Sequence, residues 1–323
     1  MFSLNYKVHG IVLLFSFMLL SPKAVFSGAS SGLLLWFQTI LPTLFPFLLV
    51  SNLLLATGSI HYLTSAFSKI CRTFLSVSDC GSFAVITGFL CGYPMGAKTA
   101  ADLNTQGYIT HREACYLLSF CNNTSPVFIM NYIVHQTLED ETLLLPTLFI
   151  LLVSPLFVSL ITRCIYKMSL IDRVGNQNTF ARSAAFSTPA AERSKEPGFS
   201  FRQLDHCIMD SCETLVKVGG YIILFSVLSS IVSSSPFPLP GSKFFLPFLE
   251  VTNGISMIGS ASMSMRFKYP MLLGLTSFGG FCAVMQTQSM VQKAGLPIFP
   301  YFTEKLAAAL TASSLGYLYM IFR

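Results

Sequence analysis

Charge is scarce in this chain. Only 11% of its 323 residues are Asp, Glu, Lys or Arg, against roughly a quarter in ordinary soluble domains, which excludes a water-soluble globular protein. Tryptophan occurs once and histidine five times, at scattered positions. No nucleophile is paired with a base and no two acids stand at enzymatic spacing, so an enzyme is not expected. The nine cysteines contain no CxxC pair, are odd in number and lie mostly within apolar runs. They read as small packing residues, not as a disulfide frame. His206, Cys207 and Cys212 fit no common metal spacing, so neither a metal nor a cofactor is expected. GAKT, Gly96 to Thr99, lacks the Walker spacing and is not a phosphate loop.

Apolar residues are plentiful instead: 53% of the chain, with thirty phenylalanines. At about 20 residues per span there is room for roughly seven to nine membrane-embedded segments. The expected fold is an all-α polytopic membrane protein, with the lipid bilayer as its first partner. The net charge of +6 does not imply nucleic acid, because the positive residues cluster in loops beside apolar runs and so report topology.

The chain divides by composition. Residues 1–28 form an N-terminal helix, an uncleaved span or a signal-like segment, of which the uncleaved helix is favoured. Residues 29–136 form a first repeat, opening on a helix from Leu33 to Ala56 that Pro42 and Pro46 should kink. Residues 137–170 carry a connecting span. Residues 171–204, rich in Ser, Ala, Arg and Pro, form a flexible loop whose basic surroundings place it in the cytoplasm. Residues 205–323 form a second repeat.

Within the first repeat, FAVITGFLCGYPMGAKTAADL (Phe83 to Leu103) starts as membrane-grade chain and then meets Gly88, Gly92, Pro94 and Gly96 before Lys98 and Asp102. Proline removes a donor and glycine loosens the helix, so this is a broken or re-entrant segment and a candidate binding site. Gly88, Gly92 and Gly96 also spell a small-residue ladder for close helix packing. Lys98 is either a solute anchor or a topology signal. CNNTSP, Cys121 to Pro126, interrupts the next helix with amide and hydroxyl ligands suited to sodium, a proton-coupled solute or a ribose. In the second repeat, Glu250 and Asn253 lie within a short interrupted segment, Phe244 to Ile258, Gln286 ends a glycine-rich one, and Ser313 and Ser314 lie within the last helix. The candidate binding residues are therefore Gly92, Tyr93, Pro94, Gly96, Lys98, Asn122, Asn123, Thr124, Ser125, Glu250, Asn253, Gln286, Ser313 and Ser314. Asp210, Glu213 and Lys217 share one helix face and are expected to neutralise one another.

Both repeats show the same order of interruptions. A spacing of 189 residues aligns Thr87 with Thr276, Asn122 with Thr311 and Ser125 with Ser314. With the polar loop inside, the helices run in opposite senses in the two repeats, which are joined by one extra span; Arg323 falls inside, and Arg266, Lys268 and Lys293 outside. Inverted, Gly/Pro-interrupted repeats are a signature of secondary transporters.

LPTLFPF, GFLCGYPMGAKTAADL and LLSFCNNTSP, in this order, resemble the YlbJ-type sporulation integral membrane proteins, from about Gly32 to the C-terminus and most specifically in GYPxGAK. The resemblance implies membership of the nucleoside-recognition, or Gate, group. It also implies a role in forming the spore cortex, in the mother-cell or forespore membrane. The expectation is a multipass permease that binds a small polar solute, nucleoside-like among the options, together with a coupling cation, between inverted halves. The alternative is a non-transporting scaffold that organises cortex assembly through sporulation membrane partners or as a homo-oligomer.

Overall fold

The computed structural model describes residues 5–57, 59–60, 64, 67–167, 200–234 and 242–323. Most of the polar loop expected over 171–204 lies outside the described residues. The described residues are helical, without a strand, and four helices are long and apolar enough to cross a membrane. The protein is an all-α polytopic membrane protein.

Helix α1 (Asn5–Leu20) is followed by α2 (Pro22–Ala56), which starts well before Leu33. The reason is the small-residue run in 22–35. A Cβ at Gly28 would lie 2.7 Å from Ser226 O, and one at Gly32 2.9 Å from Ile223 Cα, so both glycines let α2 press against a second long helix, named α9 below. Further along α2 a wide turn spans Trp36–Ile40, where the Leu41 N–H reaches back to Trp36 O. It directly precedes Pro42, which has no donor to offer, and is how the helix absorbs the expected kink.

Ser68–Leu75 (α3) and Asp79–Leu90 (α4) meet at 93°. Ser78 caps α4 by accepting from Gly81 N, Arg72 pairs with Asp79, and the Ser78 N–H donates to Glu113 at 2.6 Å. Then come α5 (Met95–Thr105), α6 (His111–Cys121), α7 (126–138) and α8 (Leu144–Ile165). The second half comprises α9 (Phe201–Ser234), the short α10 (242–248), α11 (Val251–Ser260), α12 (Met265–Phe278), α13 (Gly280–Val291) and α14 (Ile298–Phe322).

Contacts fix which way each helix runs. Gly28 meets Ser226, Trp36 Nε1 donates to Leu215 O at 3.0 Å and Asn52 donates to Asp210 at 2.9 Å, so α2 and α9 are antiparallel. Tyr166 donates to Glu304 at 3.0 Å at one end of α8, and Arg323 pairs with Asp140 at 3.0 Å beyond the other, so α8 and α14 are antiparallel too. Arg323 therefore ends on the face opposite the polar loop, not beside it. Thr142 and Arg323 together hold the Asp140 carboxyl below its usual range. Asn104 Nδ2 donates to Ala294 O, which puts Lys293 on the loop face, again opposite to expectation. On the far face Gly259 abuts Thr137, and Thr147 bonds Tyr269.

The halves thus repeat as long helix, hairpin, broken helix, helix. In the first half these are α2, α4–α5, α6–α7 and α8; in the second they are α9, α10–α11, α12–α13 and α14. The α4–α5 hairpin returns to the loop face, while α11 returns to the far face, so the halves are inverted. Two features differ from the reading above. The NNTS break (Asn122–Ser125) corresponds to Thr276–Gly279, a spacing of 154 rather than 189, and α8 closes the first half as α14 closes the second, instead of standing apart as a connecting span.

Candidate binding site

Four interruptions converge at mid-bundle. The first hairpin turns at Cys91–Pro94, where Gly92 adopts φ +89° and the Tyr93–Pro94 bond is cis. Its arms close tightly, because Cβ atoms at Gly88 and Gly96 would lie 1.8 and 2.0 Å from the Cys121 carbonyl oxygen; these two glycines are packing positions. The second hairpin turns at Leu249–Glu250. Both Glu250 carboxylate oxygens accept backbone N–H groups of α11, from Thr252 at 3.0 Å and Asn253 at 2.8 Å, which satisfies the start of that helix.

The broken helices cross between the hairpins. Gly279 (φ +84°) and Gly280 (φ +79°) form the second-half break in a conformation that favours glycine, and the Cys282 N–H donates to Leu249 O at 2.9 Å. In the first half, Asn122 is the knot. Its Nδ2 donates to Thr287 and to Tyr301, both at 2.8 Å, its Oδ1 accepts from Ala97 N at 3.5 Å, and its backbone oxygen accepts from Lys305 Nζ at 2.9 Å. Thr124 donates to Thr276 O at 3.0 Å, so the two breaks are bonded to each other.

A cavity of about 180 Å³ lies against these turns. Its wall takes Gly92 and Tyr93 from the first hairpin, Thr124 and Ser125 from the first break, Glu250 and Thr252 from the second hairpin, and Gly279 and Gln286 from the second broken helix. Helix α2 adds Thr39 and Thr43, and α7 adds Asn131, Tyr132 and Gln136, with Phe128 and Tyr132 stacked at 4.9 Å. Among the described residues Glu250 is the one acidic side chain on the wall, and no Lys, Arg or His faces it. The lining offers hydroxyls, amides, aromatic faces and one carboxylate, which suits hydrogen bonding and stacking with a small polar molecule.

Of the residues singled out from sequence, the structure brings Gly92, Tyr93, Thr124, Ser125, Glu250 and Gln286 together on this wall. The others lie elsewhere. Pro94 and Gly96 begin α5 behind the turn, and Asn122 is enclosed by its own partners. Asn123 turns back to Phe120 O at 2.6 Å, and Asn253 Nδ2 reaches Ser226 at 3.4 Å. Ser313 lies beside Gly274, and Ser314 is exposed on the outer surface of α14.

Lys98 is a fastening at the loop-face end of the bundle. It is 8% exposed and bonds Asp102 at 2.7 Å, Asp210 at 3.0 Å and Asn52 at 3.3 Å, tying α5 to α9 and α2. Asp210 therefore serves Lys98, and among the described residues Lys217 pairs with Glu213 instead. Helical spacing within one element could not reveal a partner 112 residues away. Sequence reasoning also passed over Lys305, Asn131 and Gln136; the last two are amide side chains within a mostly apolar helix, and that was a usable signal. Among the described residues no three His, Cys, Asp or Glu side chains are grouped to hold a metal ion.

Over 315 residues the chain is 24% identical to the sporulation integral membrane protein YlbJ of Bacillus subtilis (strain 168), a match that covers 90% of this chain and 76% of that protein. The resemblance seen in the motifs thus extends along nearly the whole sequence. No protein-family model matches the chain, and no solved structure does.

Proposed function

Starting from that similarity, we propose that this multipass membrane protein serves sporulation as a permease for a small polar solute, neutral or positively charged, held between its inverted halves. One observation carries the reading: four interruptions, two from each half, end on one cavity. Inside a bilayer, irregular backbone is tolerated where protein buries it or where it lines a watery cavity, and broken helices at an inverted-repeat interface are where transporters hold solutes. The sign of the solute follows from the wall. An anion would meet the Glu250 carboxylate with no base to offset it, whereas a hydroxyl, amide or amine would find acceptors.

In this reading, one half rocks against the other about the bonded breaks, and the hairpin tips at Tyr93 and Glu250 alternately expose the solute. Membership of the Gate group, work on the spore cortex and residence in the mother-cell or forespore membrane belong to the same proposal. They rest on the motifs and on the relative's name. A thermal-shift screen of the detergent-solubilised protein against nucleosides, amino sugars, polyamines and nucleotides tests it. A ligand at a hundred times its dissociation constant stabilises by about 2.7 kcal/mol. The expected result is a neutral or cationic hit that disappears in Gln286→Leu. A nucleotide hit, or a hit unchanged in that variant, would displace the solute from this cavity.

A further inference from the structure

Lys305 is a buried lysine on α14 that neither the cavity nor an ion pair accounts for. It is 3% exposed, one turn beyond Tyr301. Its Nζ stands 2.9 Å from the backbone oxygen of Asn122, the residue on which α6 ends. That oxygen has lost its helical partner to the break and sits at the negative end of the α6 dipole. Among the described residues no carboxylate pairs with Lys305 and no second acceptor lies within hydrogen-bond distance. The neighbouring Glu304 turns the other way, to Tyr166.

Packing alone does not call for this lysine. A buried ammonium with one of its three donors satisfied is costly, and a methionine or leucine would fill the same space without that cost. The surroundings do call for a cation. The end of a half-helix presents a free carbonyl, and the polar groups near it, the Asn122 carboxamide and the hydroxyls of Thr287 and Tyr301, are 0–1% exposed and bonded to one another, which leaves that carbonyl as the acceptor for the ammonium. The free carbonyls at the C-terminal ends of half-helices are where transporters hold a monovalent cation. Here an ammonium on a four-carbon tether, supplied by the other half, fills that position.

The geometry points to Lys305 as a built-in cation: its ammonium occupies a monovalent-cation site at the end of α6, fastening the two halves without a bound metal ion. This goes beyond the solute reading and stands apart from it, because its test reads salt dependence of stability and involves no solute. The unfolding temperature of the wild type, Lys305→Ala and Lys305→Met is measured in detergent with sodium, potassium or lithium chloride and with choline chloride at equal ionic strength. The wild type is expected to melt at the same temperature in every salt. Lys305→Ala should melt lower in choline and recover most of the loss, saturably, with one of the metal ions. Lys305→Met, which fills the space without charge, should melt lower in all salts and show no recovery.

Saturable stabilisation of the wild type by a metal ion would overturn the inference, since the site would then be open. A Lys305→Ala protein that is indifferent to all three metal ions would overturn it as well. So would one that fails to fold in any of these salts, because a free cation would then not replace the tethered one.

Discussion

The two broken helices occupy equivalent places in the inverted halves and are broken by different means. The first, between α6 and α7, is polar, and side chains serve the backbone it frees: Lys305 donates to the Asn122 oxygen, Asn123 Nδ2 donates to Phe120 O and Ser125 accepts from the Phe128 N–H, while the Asn122 carboxamide bonds Thr287 and Tyr301. The second, between α12 and α13, is two glycines at positive φ, with the Gly279 N–H donating to Leu275 O and Thr124 of the first break donating to Thr276 O. With no side chain at Gly279, the Tyr93 ring lies alongside, 3.5 Å from where a Cβ would stand. One topological device therefore has two uses. The polar break fastens the halves together, and the glycine break leaves room beside the cavity.

If this division is right, substitutions should separate folding from binding. The largest effect is expected where the fastening is sterically tightest. Gly96→Val forces a side chain toward a backbone oxygen 2.0 Å from the new Cβ, and neither backbone can yield cheaply. It should leave no monodisperse protein in size-exclusion chromatography. Asn122→Leu comes next. It strips partners from Thr287, Tyr301 and Ala97 while leaving their buried polar groups in place, a loss of roughly 3 kcal/mol or more. The midpoint of thermal unfolding should fall clearly, whether or not solute is present.

The open side should behave in reverse. Glu250→Gln keeps an acceptor for the α11 cap, so it should cost only about 1 kcal/mol of stability. It should nevertheless abolish the thermal shift given by a cationic ligand; an unchanged shift would remove Glu250 from the recognition of charge. Arg323→Ala is expected to do least. The ion pair with Asp140 is open to solvent at the edge of the bundle, and its loss should leave the unfolding temperature unaltered. A large drop there would mean that the far-face ends of α8 and α14 hold the halves together more than Asn122 does.

Much of this was legible in the sequence, because a break in a membrane helix must be written in residues that break helices. Gly92, Pro94 and Asn122 to Ser125 all announce interruptions, and each proved to be one, whereas the break at Gly279 lay in a segment read only as glycine-rich. Which interruptions pair was not legible. Hydroxyls and glycines make equally good breaks, so NNTS and TSFG share geometry with little identity, and a 189-residue register of chance identities competes with the 154-residue one the helices follow. Partners across halves were hidden for a related reason. Lys305 reads as the polar start of a span and Asp210 as part of a surface triplet, until the fold brings one to Asn122 and the other to Lys98. The start of α2 was missed because KAVFSGASSG resembles a loop or cleavage region, whereas its small residues form a helix seam against α9.

The competing registers also supply the most direct test that the cavity between the breaks is a watery solute site. The 189-residue spacing makes Ser125 and Ser314 equivalent, but the structure puts Ser125 on the cavity wall and Ser314 on the exposed outer surface of α14. Each is replaced by cysteine in a cysteine-free background and treated, in membranes, with a small water-soluble thiol reagent, which needs water to form the reactive thiolate. Ser125→Cys should be modified, and protected by any ligand found in the screen, while Ser314→Cys, facing lipid, stays unmodified. Modification of Ser314→Cys with Ser125→Cys inert would contradict the account.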